Sequence, residues 1–377
     1  MTTQAIPRVA AHKKQGHWQT VALMMLVGAF VGAAAGWGLV HLVKPHSLKG
    51  RTSDWILLSL PISMLLVIAL HEAGHLVGGL ASGFRFYLYV VGPLRIERDG
   101  ERLKFMFNNM PALWGGLAGC TPRTYGPELW RKMLLMVAGG PAFSFLGALL
   151  TLPLGALFIQ THANVAIILI FFGFLSAAIG FVTLIPNHMA GFTSDGARLL
   201  MLVRKRPEGK RWTAMAAVGG LTLAERPKLW PMELMELLGD GSDGSRDAVA
   251  VCQLRYLWHA DRREWELARV WLERGLEHMD ALPKVMQGAY CACAAHYYAR
   301  HGKDAAMARQ YLDLARKPGF HNPEHLHGVA AAVLICEERK EEALKELDLA
   351  EQVAKSKQGS LGEASREELA EMRTEAL

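Results

Sequence analysis

Neither a disulfide framework nor a cysteine-metal framework is present in this chain. Its five cysteines (Cys120, Cys252, Cys291, Cys293 and Cys336) are odd in number and include no C-x-x-C pair. That excludes a stapled secreted scaffold and fits reduced thiols in a cytosolic setting. Cys291 and Cys293 fall on different faces of a helix, which removes them as a metal pair. A strong charge of either sign is missing as well, the net charge being +6 over 377 residues. The basic residues concentrate beside apolar segments, so the surplus reads as topology and lipid-surface contact and not as nucleic-acid binding. Long apolar runs are scarce beyond position 200, and charge is scarce before it: Thr20 to Val43 contains no Asp, Glu, Lys or Arg.

What is there, in the first half, is membrane-like. Four segments are long and apolar enough to span a bilayer: Thr20–Val43, Trp55–Leu80, Met133–Ile159 and Ala163–Ile185. The first is too long for a cleaved signal peptide, and another span follows it almost at once. Gly28, Gly32 and Gly36 form two overlapping G-x-x-x-G steps that either admit a close helix neighbour or simply belong to a small-residue span. Trp18, Trp37 and Trp55 lie near span ends, as interfacial anchors do. The 81–132 loop carries eight Lys and Arg residues, and Arg198, Arg204, Lys205, Arg206, Lys210 and Arg211 follow the fourth span, whereas Gln160–Asn164 carries none. Positive-inside bias therefore predicts a multi-pass cell-membrane protein with both termini in the cytosol.

Within the second span stands His71-Glu72-Ala73-Gly74-His75. On a helix, residues four apart point the same way, so both imidazoles can share one tetrahedral Zn²⁺, with Glu72 beside the open position to take a proton from water. A structural histidine pair is the competing reading. It is disfavoured because ionisable groups inside an apolar span are costly and persist mainly for function. A third ligand should come from the same depth. After Pro186 the chain reads Asn187-His188-Met189-Ala190-Gly191-Phe192-Thr193-Ser194-Asp195-Gly196. Asp195 is the ligand candidate, although Ser194 or Asp195 can equally cap the next helix; His188 is the second candidate.

These elements together resemble the site-2 protease family of intramembrane zinc metalloproteases. The match rests on His71-Glu72-Ala73-Gly74-His75, on Leu184-Ile185-Pro186 with Ser194-Asp195-Gly196, and on Ala138-Gly139-Gly140-Pro141, across roughly residues 55 to 205. The resemblance implies zinc held by His71, His75 and Asp195, with Glu72 as general base. The substrates it implies are membrane-anchored proteins cut within a transmembrane segment. The chain departs from the family at Thr183 and Ser144, where asparagine is usual, and in a longer spacing from Pro186 to Asp195.

Between the second and third spans, Phe86–Val91, Arg95–Arg98 and Arg102–Phe107 are β-prone, and Asp99-Gly100 marks a tight hairpin. Such a hairpin either covers the site or holds an unwound substrate by strand addition; the family resemblance implies a membrane-associated one. Residues 206–245 read as a linker ending in the glycine-rich Gly239–Gly244. From 246 to 355 the pattern is antiparallel helices. Ala308 with Leu312-Asp313-Leu314-Ala315 recurs as Ala343 with Leu347-Asp348-Leu349-Ala350, an offset of 35 residues, and Arg263–Leu276 is a weaker copy. That period resembles the tetratricopeptide repeat, a surface for a protein partner; a generic array of helical hairpins is the alternative, since the consensus aromatic positions are only partly filled. His321, His325 and His327 read as a solvated loop, not a metal site, and residues 356–377 as a charged, fraying tail. The expected architecture is mainly α: a helix bundle of about four spans in the lipid bilayer (19–205, after a cytosolic tail of 1–18), a small β-hairpin, and a cytosolic helical-repeat domain. The competing function class is a non-catalytic membrane adaptor.

Overall fold

The computed structural model describes residues 52–99, 102–109, 114–189, 192–222, 225–317, 326–356 and 360–377. The expected first span, with its glycine steps and with Trp18 and Trp37, lies outside the described residues, as do His321 and His325. The described residues are mainly helical and fall into two compact units that divide between Thr213 and Ala214.

Among the described residues, three helices of the first unit are long and apolar enough to cross a membrane. These are α1 (Thr52–Ala81, apolar from Pro61), α2 (Leu129–Phe158) and α3 (Ala163–Leu184), and they correspond to the three expected spans that fall within the described chain. Such sequences form helices because a span without water must satisfy every backbone polar group internally. The bundle leaves large aliphatic side chains outside, with Leu149 70% and Leu157 71% exposed. That is how a helix facing lipid presents itself, since lipid tails and leucine are equally apolar. Its interior crossings are lined with small residues, which let backbones approach.

Between α1 and α2 lies a four-stranded antiparallel sheet: β1 (Arg85–Val91), β2 (Leu94–Asp99), β3 (Arg102–Phe107) and β4 (Leu117–Thr121), in the order β3-β2-β1-β4. The expected hairpin is there, with Asp99 opposite Arg102. The fourth strand was not expected. Leu117-Ala118-Gly119-Cys120-Thr121 has little β-propensity of its own and pairs with β1 through tertiary context, with Tyr89 opposite Ala118. The Tyr89 hydroxyl donates to the Ala69 carbonyl (2.9 Å), tying the sheet to α1 just before the histidine motif. After α3 come a two-stranded turn, β5 (His188–Met189) with β6 (Phe192–Thr193), and helix α4 (Asp195–Val203).

The stretch expected as a linker is folded. It holds α5 (Pro207–Leu221), a 3-10 turn (Pro227–Leu229) and α6 (Met232–Leu238), with Trp230, Leu234, Met235 and Leu238 buried. Prolines at 207, 227 and 231 start these elements, a position where the missing N–H costs nothing. Three helical hairpins follow: α7 (Arg246–Asp261) with α8 (Trp265–Glu277), α9 (Lys284–Tyr297) with α10 (Ala305–Ala315), and α11 (Leu326–Cys336) with α12 (Lys340–Ser356). The recurring Ala-x-x-x-Leu-x-x-small pattern occupies the buried face of each second helix: Ala268, Leu272 and Gly275; Ala308, Leu312 and Ala315; Ala343, Leu347 and Ala350. His327, expected in a solvated loop, lies on α11, with its Nδ1 2.6 Å from Glu346. All five cysteines are free thiols.

Residues 356–377 correct a second expectation. Instead of fraying, most of them form α13 (Ser360–Ala376), which buries Leu369, Met372 and Ala376. The charge that suggested a solvated tail is arranged on a helix with an apolar face of period 3.6.

Candidate metal centre

The site begins with spacing on α1, where His71 and His75 lie one turn apart and their Nε2 atoms are 3.3 Å from each other. Asp195, the first residue of α4, completes the group. Its carboxylate oxygens lie 3.1 Å from His71 Nε2 and 3.4 Å from His75 Nε2. The three side chains form a cluster that could hold a metal ion, with all donor atoms within 4.8 Å of one another. Donors bound at ~2.0–2.1 Å in a tetrahedron stand ~3.3–3.4 Å apart; the separations of His71 Nε2 from His75 Nε2 (3.3 Å) and from Asp195 Oδ2 (3.1 Å) are close to that, and the other carboxylate oxygen approaches His75. Two imidazoles and a carboxylate suit zinc and leave the fourth position open.

Each histidine is oriented from behind. A metal bound at Nε2 would leave the proton on Nδ1, which lies 3.0 Å from Ser144 Oγ in His71 and 3.0 Å from the Met136 carbonyl in His75. Ser144 is fully buried, and the Ser176 hydroxyl on α3 donates to its carbonyl (2.8 Å), linking all three helices. Close approach of α1 and α2 makes this possible. A Cβ on Gly74 would sit 2.2 Å from the Gly139 carbonyl oxygen, and one on Gly139 would sit 2.1 Å from that of Gly74. One residue on, a Cβ at Gly140 would lie 2.3 Å from His75 Nε2. The Gly139-Gly140 pair is therefore the floor on which the histidine motif rests.

The alternatives left open at Asp195 resolve into a division of labour. Ser194 caps α4, its Oγ accepting the Ala197 N–H (3.3 Å) and the Asn187 N–H (3.0 Å) while donating to the Ile185 carbonyl (2.8 Å). That leaves the Asp195 side chain free to face the histidines. Gly196 is held against α3, where a Cβ would lie 1.8 Å from the Leu184 carbonyl oxygen. Asp-Gly thus has a steric reason: the glycine lets the carboxylate reach α1. His188, the second candidate, lies on β5 opposite Thr193.

Glu72 is buried and stands outside the three-residue group. Its carboxylate meets the start of β4. The Ala118 N–H donates to it, and a Cβ on Gly116 would sit 2.6 Å from its Oε1. Among the described residues β4 is the outer strand of the sheet beside β1. Sequence reasoning missed the role of β4, the Ser144 contact and the steric part played by Gly140. Trp114-Gly115-Gly116 carried the available signal for the first, since adjacent glycines often mark a close backbone approach. No protein-family model matches the chain, and no characterised protein or solved structure is significantly similar to it.

Proposed function

We propose that the chain is an intramembrane zinc endopeptidase of the site-2 protease type, acting on transmembrane segments of membrane-anchored proteins. The observation that carries this reading is the cluster of His71, His75 and Asp195 inside a bundle of lipid-length helices, with the buried Glu72 close to all three. Zinc, if held by His71, His75 and Asp195, would supply Lewis acidity toward the scissile carbonyl and water there. Glu72 takes the proton as the water oxygen bonds to the carbonyl carbon, and returns it to the amide nitrogen as the C–N bond breaks. Burial of Glu72 against β4 keeps bulk water from competing for that proton.

A helical substrate hides its peptide bonds in its own ladder and must unwind before it can be cut. The edge of β4 beyond Ala118 offers the backbone partners that an unwound segment lacks, so strand addition there presents the peptide beside Glu72. In the membrane, positive-inside bias puts the 81–132 loop, the termini and the helical unit in the cytosol. That unit is a tetratricopeptide-like array that recruits or gates substrates.

The test is Glu72→Gln in detergent-purified protein. Zinc stoichiometry stays at the wild-type value, because Glu72 is not a ligand, while peptide-bond cleavage of a single-span substrate disappears. Comparable turnover by the variant refutes the protease mechanism and leaves the membrane-adaptor alternative.

A further inference from the structure

One end of the membrane bundle gathers cations that the metal centre does not use. Trp130 stands in the first turn of α2, where that lipid-length helix begins. Two cations from distant parts of the chain lie over its ring. The Arg131 guanidinium carbon is 5.3 Å from the ring centre, and the Lys205 ammonium, just past the end of α4, is 5.1 Å from it. The turn between α4 and α5 supplies the rest. Arg204, Lys205 and Arg206 follow one another there, Lys210 stands in the first turn of α5, and all four are exposed. Close packing fixes this turn: the Arg206 N–H donates to the Met201 carbonyl (3.1 Å), and a Cβ on Gly209 would lie 2.6 Å from the same oxygen. Acidic groups are few. Glu208 is the only one between positions 198 and 212, against six Lys and Arg, and Glu128 is taken by Arg131 (3.0 Å). Among the described residues no carboxylate forms an ion pair with Arg204, Lys205, Arg206 or Lys210. Like charges packed in this way repel one another until an anion joins them.

We propose that this cluster seats the phosphate headgroup of an anionic phospholipid. Depth decides for a lipid over a soluble anion. Leu135, little more than one turn beyond Trp130 on α2, is already exposed as a lipid-facing side chain is. Trp130 and the cations over it therefore lie where the hydrocarbon ends and the headgroup phosphates begin, the level at which tryptophan anchors a span. A basic pocket between helix ends at that level matches a charged headgroup. Arg204 and Arg206 offer planar forks to the phosphate oxygens, and Lys210 adds a point charge. Trp130 holds the Lys205 ammonium in place through its ring face. A zwitterionic lipid carries its own ammonium against its phosphate, so the cluster selects lipids with net negative charge. This inference rests on the bundle lying in a membrane and does not depend on the zinc site or on proteolysis.

The experiment uses full-length protein in a neutral detergent, with native mass spectrometry to count retained lipids as phosphatidylglycerol or phosphatidylcholine is added. Phosphatidylglycerol should bind saturably, phosphatidylcholine should not, and inorganic phosphate at the same concentration should displace nothing. Lys205→Gly is the informative variant. Lys205 has φ 49°, a left-handed conformation that glycine adopts freely, so the change deletes the ammonium without straining the turn. Its affinity for phosphatidylglycerol should fall about fivefold, the worth of one cation at a headgroup. Lys284→Gln, an exposed lysine of the other compact unit, removes the same charge and should change nothing. Should Lys205→Gly fail to fold, Arg204→Gln decides, with a loss of similar size expected. Equal binding of the two lipids overturns the proposal. So does an equal loss in Lys205→Gly and Lys284→Gln, which would mean net charge alone, or displacement by inorganic phosphate, which would assign the cluster to a soluble anion.

Discussion

Gly140→Ala adds one methyl group and leaves every ligand in place, yet it should empty the metal site. A Cβ built at residue 140 lies 2.3 Å from His75 Nε2, 2.4 Å from Cε1 and 2.8 Å from Cδ2. Ordinary contact needs ~3.5 Å, so the imidazole must retreat by about 1 Å. Retreat along α1 is blocked, because the helices already touch at Gly74 and Gly139, and rotation of the ring breaks the Nδ1 hydrogen bond to the Met136 carbonyl. A Zn–N bond of ~2.0–2.1 Å tolerates ~0.2 Å. The displacement therefore removes a ligand, a larger loss than the 10–100-fold that outer-shell changes produce, so affinity should fall by at least about 100-fold. The assay is competition with a chelating dye, beside metal content by mass spectrometry. Gly126→Ala is the control: it lies just before α2, and a Cβ there meets nothing within 4 Å, so it should retain zinc. Wild-type affinity in Gly140→Ala would refute the placement of His75 as a ligand on this floor.

Other outcomes follow from the same geometry. Asp195→Ala should lower zinc occupancy and cleavage together while His188→Ala leaves occupancy nearly intact, and the reverse pattern moves the third ligand to His188. Ser144→Ala removes the partner of His71 Nδ1 without adding bulk and should weaken zinc about 10–100-fold at unchanged helicity; unchanged affinity in chelator competition would show that the contact orients nothing. Glu368 is held down at about 2, from an ordinary 4.5, chiefly by the charge of His296. A depressed carboxyl stabilises above its unfolded value and loses that contribution as pH falls through the folded one. The Tm difference between wild type and Glu368→Gln should therefore be full above pH 4.5 and fade toward pH 2; a constant difference would mean that the ion pair does not hold α13.

Much of this protein is determined by one-dimensional pattern. Apolar length fixes α1, α2 and α3, because a chain in lipid has no alternative to the helix. Four-residue spacing puts His71 and His75 on one face wherever the helix goes. Asp99-Gly100 sets a hairpin, and the recurring Ala and Leu positions set the buried faces of α8, α10 and α12. Each of these is local, decided by periodicity or by one turn. Tertiary structure decides what depends on neighbours distant in sequence. Ser194 and Asp195 read alike as caps until α3 brings Ile185 against one and α1 brings the histidines against the other. Ser144 is an ordinary helix residue until His71 packs on it. β4 has no strand signal, and exists because β1 offers it a ladder and Glu72 a second partner. The charged tail reads as solvated by composition and becomes α13 only because Arg226, Arg263, His296 and Arg300 converge from three places in the chain. Composition and spacing carry no information about such convergence, since it arises only when separate helices pack.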